Sequence, residues 1–121
     1  MPSKVVKYRQ QAFLNQAQRC YYCGFLMWEG NPEEFAAFHR ISLPQAQRFQ
    51  CTAEHLDARQ DGGTNAKSNI VAACLHCNQT RHRMKPAPTP EVLRRAISKQ
   101  LQNKCWHRKH VVQQLSSKVS G

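Results

Sequence analysis

The spacing of apolar and polar positions predicts helices toward both ends of the chain and a strand pair between them. Lys7 to Arg19 has helical composition, with Phe13, Leu14 and Ala17 forming a short apolar face that runs up to Cys20. Asn31-Pro32-Glu33-Glu34 reads as a helix start. Asn31 is its N-cap, Pro32 its first helical residue and Glu34 the reciprocal cap, with Phe35, Ala36 and Phe38 supplying apolar surface. A second short helix fits Pro44 to Arg48. Phe49 to Leu56 then reads as a strand, Asp57 to Ser68 as a polar loop turning at Gly62-Gly63, and Asn69 to Ala73 as a second strand carrying Ile70 and Val71. Leu75 to Lys85 is a short helix stopped before Pro86, and Pro86-Ala87-Pro88-Thr89-Pro90 is a stiff linker. Thr89 caps a last helix with Pro90 at its first position. Its apolar face is Val92, Leu93, Ala96, Ile97 and Leu101, and Arg94, Arg95 and Lys99 take the others. No internal repeat is present, and the residues from Ser116 onward are expected to fray. The pattern predicts an α+β fold in one domain spanning residues 1–121, with a core at about 20–85 and a basic helical extension at about 90–115.

Charge narrows the choice of partner. Eighteen Lys and Arg stand against seven Asp and Glu, a formal +11, which suits DNA or RNA and argues against an acidic-surface protein. From Gln79 to the C-terminus ten basic side chains face one acid, Glu91. Within that stretch Trp106-His107-Arg108-Lys109-His110 reads as a packed tryptophan beside solvated charges. Met1-Pro2-Ser3-Lys4 leads into polar residues without an apolar leader, and no apolar stretch approaches membrane-spanning length. The expectation is a cytoplasmic protein with no membrane partner, in a reducing compartment where paired Cys-x-x-Cys motifs are metal ligands. Cys51 and Cys105 stand alone and read as ordinary thiols.

The cysteines carry the first chemistry. Cys20-Tyr-Tyr-Cys23-Gly24 is a knuckle, its glycine permitting the positive φ of a tight turn, and Cys74 and Cys77 form a second pair. Each pair places two sulfurs on one ion, so the two together satisfy tetrahedral Zn²⁺. The gap between them means that the ion staples the N-terminal knuckle to the start of the core helix. A second cluster lies beside it. Glu54 and His55 are neighbours on a strand, so their side chains leave in different directions. Asn78 and His82 are four apart on a helix and share a face. Glu54, Asn78 and His82 together give a mixed oxygen and nitrogen shell with open positions for phosphate and water, and His55 is left over as a base.

These residues carry a resemblance. The stretch Cys51-Thr-Ala-Glu54-His55-Leu56, then Gly62-Gly63, then Asn69-Ile70-Val71-Ala-Ala-Cys74-Leu-His-Cys77-Asn78 resembles the HNH endonucleases braced by four cysteines, over about Cys20 to Lys85. The resemblance implies a small ββα-metal core: two antiparallel strands and a helix around one divalent ion, with a zinc-stapled knuckle and flanking helices. It implies His55 as general base, Asn69 as the middle Asn that holds the loop and orients the base, and Glu54 and Asn78 as metal ligands. Glu54 stands where the family usually has Asp or His, and Asn78 where some members have His. His82 matches a further helix ligand found in only some members.

The implied activity is metal-dependent DNA cleavage, RNA being the lesser candidate, with Mg²⁺ or Mn²⁺ as the working ion and structural Zn²⁺ in the cysteines. His55 would take a proton from the attacking water, leaving 5′-phosphate and 3′-hydroxyl ends. Arg59, Arg81 and Lys85 lie near enough in sequence to contact phosphate, and Arg94, Arg95 and Lys99 would add affinity from the last helix. The competing reading is a zinc-stabilised nucleic-acid-binding module that no longer cuts. The set Glu54, His55, Asn69 and Asn78 favours the enzyme, because a binding module has no need of it.

Overall fold

The computed structural model describes residues 3–58, 63–103 and 106–116. Gly62, Arg59 and Cys105, each given a reading above, lie outside the described residues. In chain order the elements are α1 (Lys4–Asn15), α2 (Pro32–His39), α3 (Leu43–Gln47), β1 (Cys51–His55), a 3₁₀ turn (Lys67–Asn69), β2 (Ile70–Cys74), α4 (Leu75–Arg83), α5 (Pro90–Gln102) and α6 (Lys109–Ser116). Helices thus surround a small antiparallel sheet, in which β1 pairs with β2 from Cys51 opposite Cys74 to His55 opposite Ile70. With α4 following β2 directly, the centre is a ββα unit.

Local chemistry sets most of the boundaries. The first helix begins at Lys4 rather than Lys7, because Ser3 accepts the Val6 amide as an N-cap, and it ends at Asn15 rather than Arg19. In α2, Asn31 caps Glu34 as expected, but the Asn31 amide donates to the Glu29 carbonyl and not to the Glu34 side chain. The reciprocal capping box instead opens α3, where Ser42 and Gln45 satisfy each other's amides. Asn69 belongs to the 3₁₀ turn and not to the second strand, which starts at Ile70. The core helix stops at Arg83, two residues short of Lys85.

The hairpin has its outer edge covered. Gln16, just past α1, donates to the Ala72 carbonyl at 2.8 Å and accepts the Ala72 amide at 3.0 Å, so one side chain replaces a missing strand. Tyr21 also donates its amide to Ala72. On the other side the Trp28 backbone bonds Phe49 and Cys51. The core gathers Phe13, Met27, Ile41, Phe49, Ala72, Ala73 and all four knuckle cysteines with Leu93, Ile97, Val111 and Leu115. On α5, Leu93 and Ile97 are buried and Leu101 is half-buried, whereas Val92 and Ala96 face solvent, so the apolar stripe is narrower than its spacing predicts. The helical extension expected at about 90–115 divides into α5 and α6, and Val111 and Leu115 of α6 are buried. No helix among the described residues is long and apolar enough to cross a membrane.

Candidate metal and catalytic centre

The hairpin and α4 bring the two cysteine pairs together. One sulfur from each of Cys20, Cys23, Cys74 and Cys77 lies within 4.8 Å of the others, all four residues are buried, and none is in a disulfide. A tetrahedral zinc with bonds of about 2.3 Å sets its sulfurs about 3.8 Å apart, and Cys23 Sγ lies 4.0 Å from Cys74 Sγ. The amides of Tyr22, Cys23 and Cys74 point at Cys20 Sγ, and the Cys77 amide points at Cys74 Sγ. The Trp106 indole N–H donates to Cys77 Sγ at 3.4 Å, which makes this tryptophan a packed residue. Such donors suit thiolates. Burial opposes charge on Cys20, yet hydrogen bonds from the other three thiols hold it well below the usual thiol range. Burial and hydrogen bonding to Cys20 push Cys74 up, and hydrogen bonding to Cys20 and Cys23 pushes Cys77 up. Four thiolates so close need a cation to share their charge, and the donor set and spacing fit zinc. Cys51 stays outside the cluster; burial, then the Glu29 charge, push its thiol up to about 12.

The second cluster begins one helical residue later. Glu54 is 1% exposed. Its Oε1 meets His82 Nε2 at 2.8 Å, and its Oε2 pairs with Arg81 Nη1 at 3.2 Å. Cis ligands on an octahedral ion with bonds of about 2.1 Å sit about 3 Å apart, so Glu54 and His82 fit one edge of such a shell. Asn78 donates through Nδ2 to Thr52 Oγ1 and the Ala53 carbonyl. Two acceptors on its nitrogen fix the amide's orientation and make Oδ1 the atom that a cation could use. Tyr22 completes the wall, its phenol pushed up by burial and by the Glu54 carboxylate.

His55 stands apart from that cluster. Its Nε2 lies 2.8 Å from Asn65 Oδ1. Asn69, expected to hold the loop and orient the base, accepts the Asp57 amide at 2.7 Å and donates to the Asp57 and Thr64 carbonyls at 3.1 and 2.7 Å. Its side chain thus ties the two ends of the loop together, and the bond to the His55 ring comes from Asn65. Gly63 lets the loop close: a Cβ there would be driven into the Asp57 carbonyl, and its amide bonds Ala58.

The basic residues divide. Arg81, expected at phosphate, turns inward and is 2% exposed. Besides Glu54, its guanidinium donates to the carbonyls of His55 at 2.6 Å, Leu56 at 2.7 Å and Pro88 at 2.9 Å. It is spent on the fold and has no face left for a ligand. Its place four residues after buried Cys77 was the available signal, since i and i+4 share a helix face. Lys85, Arg95 and Lys99 are exposed. Arg94 is exposed too, with its guanidinium 4.6 Å above the Tyr21 ring. Asn65 was missed because no spacing rule marks one polar residue in a polar loop.

The HNH endonuclease family model matches residues 20–84, more than half of the 121 residues, and the chain belongs to that family. Membership implies nuclease chemistry in general terms. No curated protein and no solved structure matches the chain.

Proposed function

We propose that the protein is a DNA endonuclease in which His55 is the general base and Glu54, Asn78 and His82 hold one divalent ion, Mg²⁺ or Mn²⁺. The observation that carries this reading is the division of roles at the end of β1. Glu54 is turned onto His82 of α4 in ligand geometry, while the next residue, His55, is held separately by the loop. The ion, when bound, would supply Lewis-acid stabilisation to the charge that develops at the phosphate and the leaving oxygen. His55 accepts a proton from water aligned with phosphorus, the new bond forms to the water oxygen, and the bond to O3′ breaks. The ends are 5′-phosphate and 3′-hydroxyl, with the proton on O3′ drawn from solvent. Glu54, already neutralised on one oxygen by Arg81, would offer its other oxygen to the ion. Exposed Lys85, Arg94, Arg95 and Lys99 contribute to phosphate affinity.

Incubation of the purified protein with supercoiled plasmid and a panel of divalent ions tests this directly. Nicked or linear product with Mg²⁺ or Mn²⁺, and none in EDTA, is the expected result. Plasmid left intact with every ion, yet retarded on a gel, would identify the zinc-braced binding module instead.

A further inference from the structure

The nuclease reading leaves open which ring nitrogen of His55 acts and what sets it. We propose that Asn65 is the residue that orients His55, fixing the Nε2–H tautomer so that Nδ1 carries the free lone pair, and that Asn69 acts on the ring through Asn65. This rests on the reading of His55 as the base. The chain of contacts is short. Asn69 holds the Thr64 carbonyl at 2.7 Å and grips both polar atoms of the Asp57 backbone. The Asn69 amide donates to the Ala66 carbonyl. Asn65 is therefore fixed on both sides by the same residue. From there its Oδ1 reaches His55 Nε2 at 2.8 Å.

An amide oxygen only accepts, so the imidazole nitrogen facing it must carry the hydrogen. In a neutral ring the other nitrogen is then bare, and the bond also removes the freedom of the ring to rotate. Asn65 touches neither metal ligands nor knuckle in any contact seen among the described residues. It is a positioning residue, and its loss should cost orientation while leaving the fold intact.

Nuclear magnetic resonance of ¹⁵N-histidine-labelled, zinc-loaded protein at a pH where the ring is neutral reads the tautomer directly. The His55 signals are assigned among the six histidines by their loss in His55→Asn. The wild type should show the Nε2–H form. Asn65→Ala should show the mixed tautomers of a free imidazole and lower kcat about ten-fold, a fraction of the 10²–10⁴ that a base supplies, with KM and melting temperature unchanged. Asn65→Asp keeps the accepting oxygen and should restore both tautomer and rate. Asn69→Ala should release the tautomer as Asn65→Ala does. An Nδ1–H wild type, or an Asn65→Ala variant that keeps tautomer and kcat, overturns the proposal. A wild type with the expected tautomer that cuts no DNA in any ion upholds the Asn65 geometry and overturns the nuclease reading instead.

Discussion

The four cysteines and the Glu54–Asn78–His82 group share one hairpin and one helix, yet they are built to opposite rules. Cys77 and Asn78 are adjacent on α4, the first in the cysteine cluster and the second in the proposed ion site. The cysteine site is closed: four buried sulfurs lie within 4.8 Å of one another, enough for a tetrahedral zinc, and backbone amides point at them. In the proposed function the other group would supply three side chains, two of them only half-buried, to an ion that wants six ligands. A complete shell contributes to folding and an incomplete one leaves room for substrate. Contact with water separates them as well. The closed site sits in the core with Trp106 donating into it, whereas the open one ends at the partly exposed His55.

The largest expected effect comes from opening the closed site. Cys74→Ser should unfold the protein, since a structural zinc contributes about 10 kcal/mol or more in small modules; circular dichroism of the purified variant reads this. A native spectrum in the variant would mean that the knuckle is dispensable.

Next is the residue that holds the open site in place. Arg81→Ala strips the guanidinium from Glu54 Oε2, leaves the buried carboxylate with His82 alone and frees three carbonyls, which should cost about 3–5 kcal/mol of stability in urea melts. A loss below 1 kcal/mol would show that Glu54 does not depend on it.

His55→Ala should separate the two regions. Cleavage should fall by about 10²-fold or more while zinc content, stability and DNA affinity remain. Joint loss of rate and stability would make His55 part of the frame.

The smallest effect concerns the knuckle's outer layer. His107 is buried among Phe25, Phe49 and His76, and neither ring nitrogen has a partner among the described residues. Burial, then His76 and Arg48, lower it from 6.5 to about 3. The unfolded chain therefore binds this proton more readily than the native one. The neutral ring's contribution is whole above pH 6.5 and is lost as pH falls toward 3. His107→Phe should make melting temperature less pH-dependent between pH 7 and about 5. An unchanged profile would place that dependence elsewhere.

The closed site was legible in the sequence because thiol spacing alone nearly determines it: two Cys-x-x-Cys turns in one small chain point to a single shared metal. The hairpin and α4 were equally legible, their ends shifted by a residue or two where capping decided. Around Glu54 the sequence named residue types, and the structure adds contacts that spacing does not give. Glu54 with His82 follows from strand direction and helix spacing, but Arg81 turning inward needs the packing of the Pro88 segment against α4. Asn65 depends on how a twelve-residue loop folds back, and loop conformation leaves no periodic trace. In the extension the helical character was legible but the break between α5 and α6 was not, nor the two buried positions, Val111 and Leu115.

The contrast itself is tested by treating one sample with EDTA at moderate concentration, then adding Mg²⁺ or Mn²⁺, while zinc content and plasmid cleavage are both followed. Cleavage should stop and return, with about one zinc per chain retained throughout, as expected for a four-thiolate site beside a weak oxygen-rich one. Cleavage and zinc lost together, with no recovery on adding Mg²⁺ or Mn²⁺, would contradict the account.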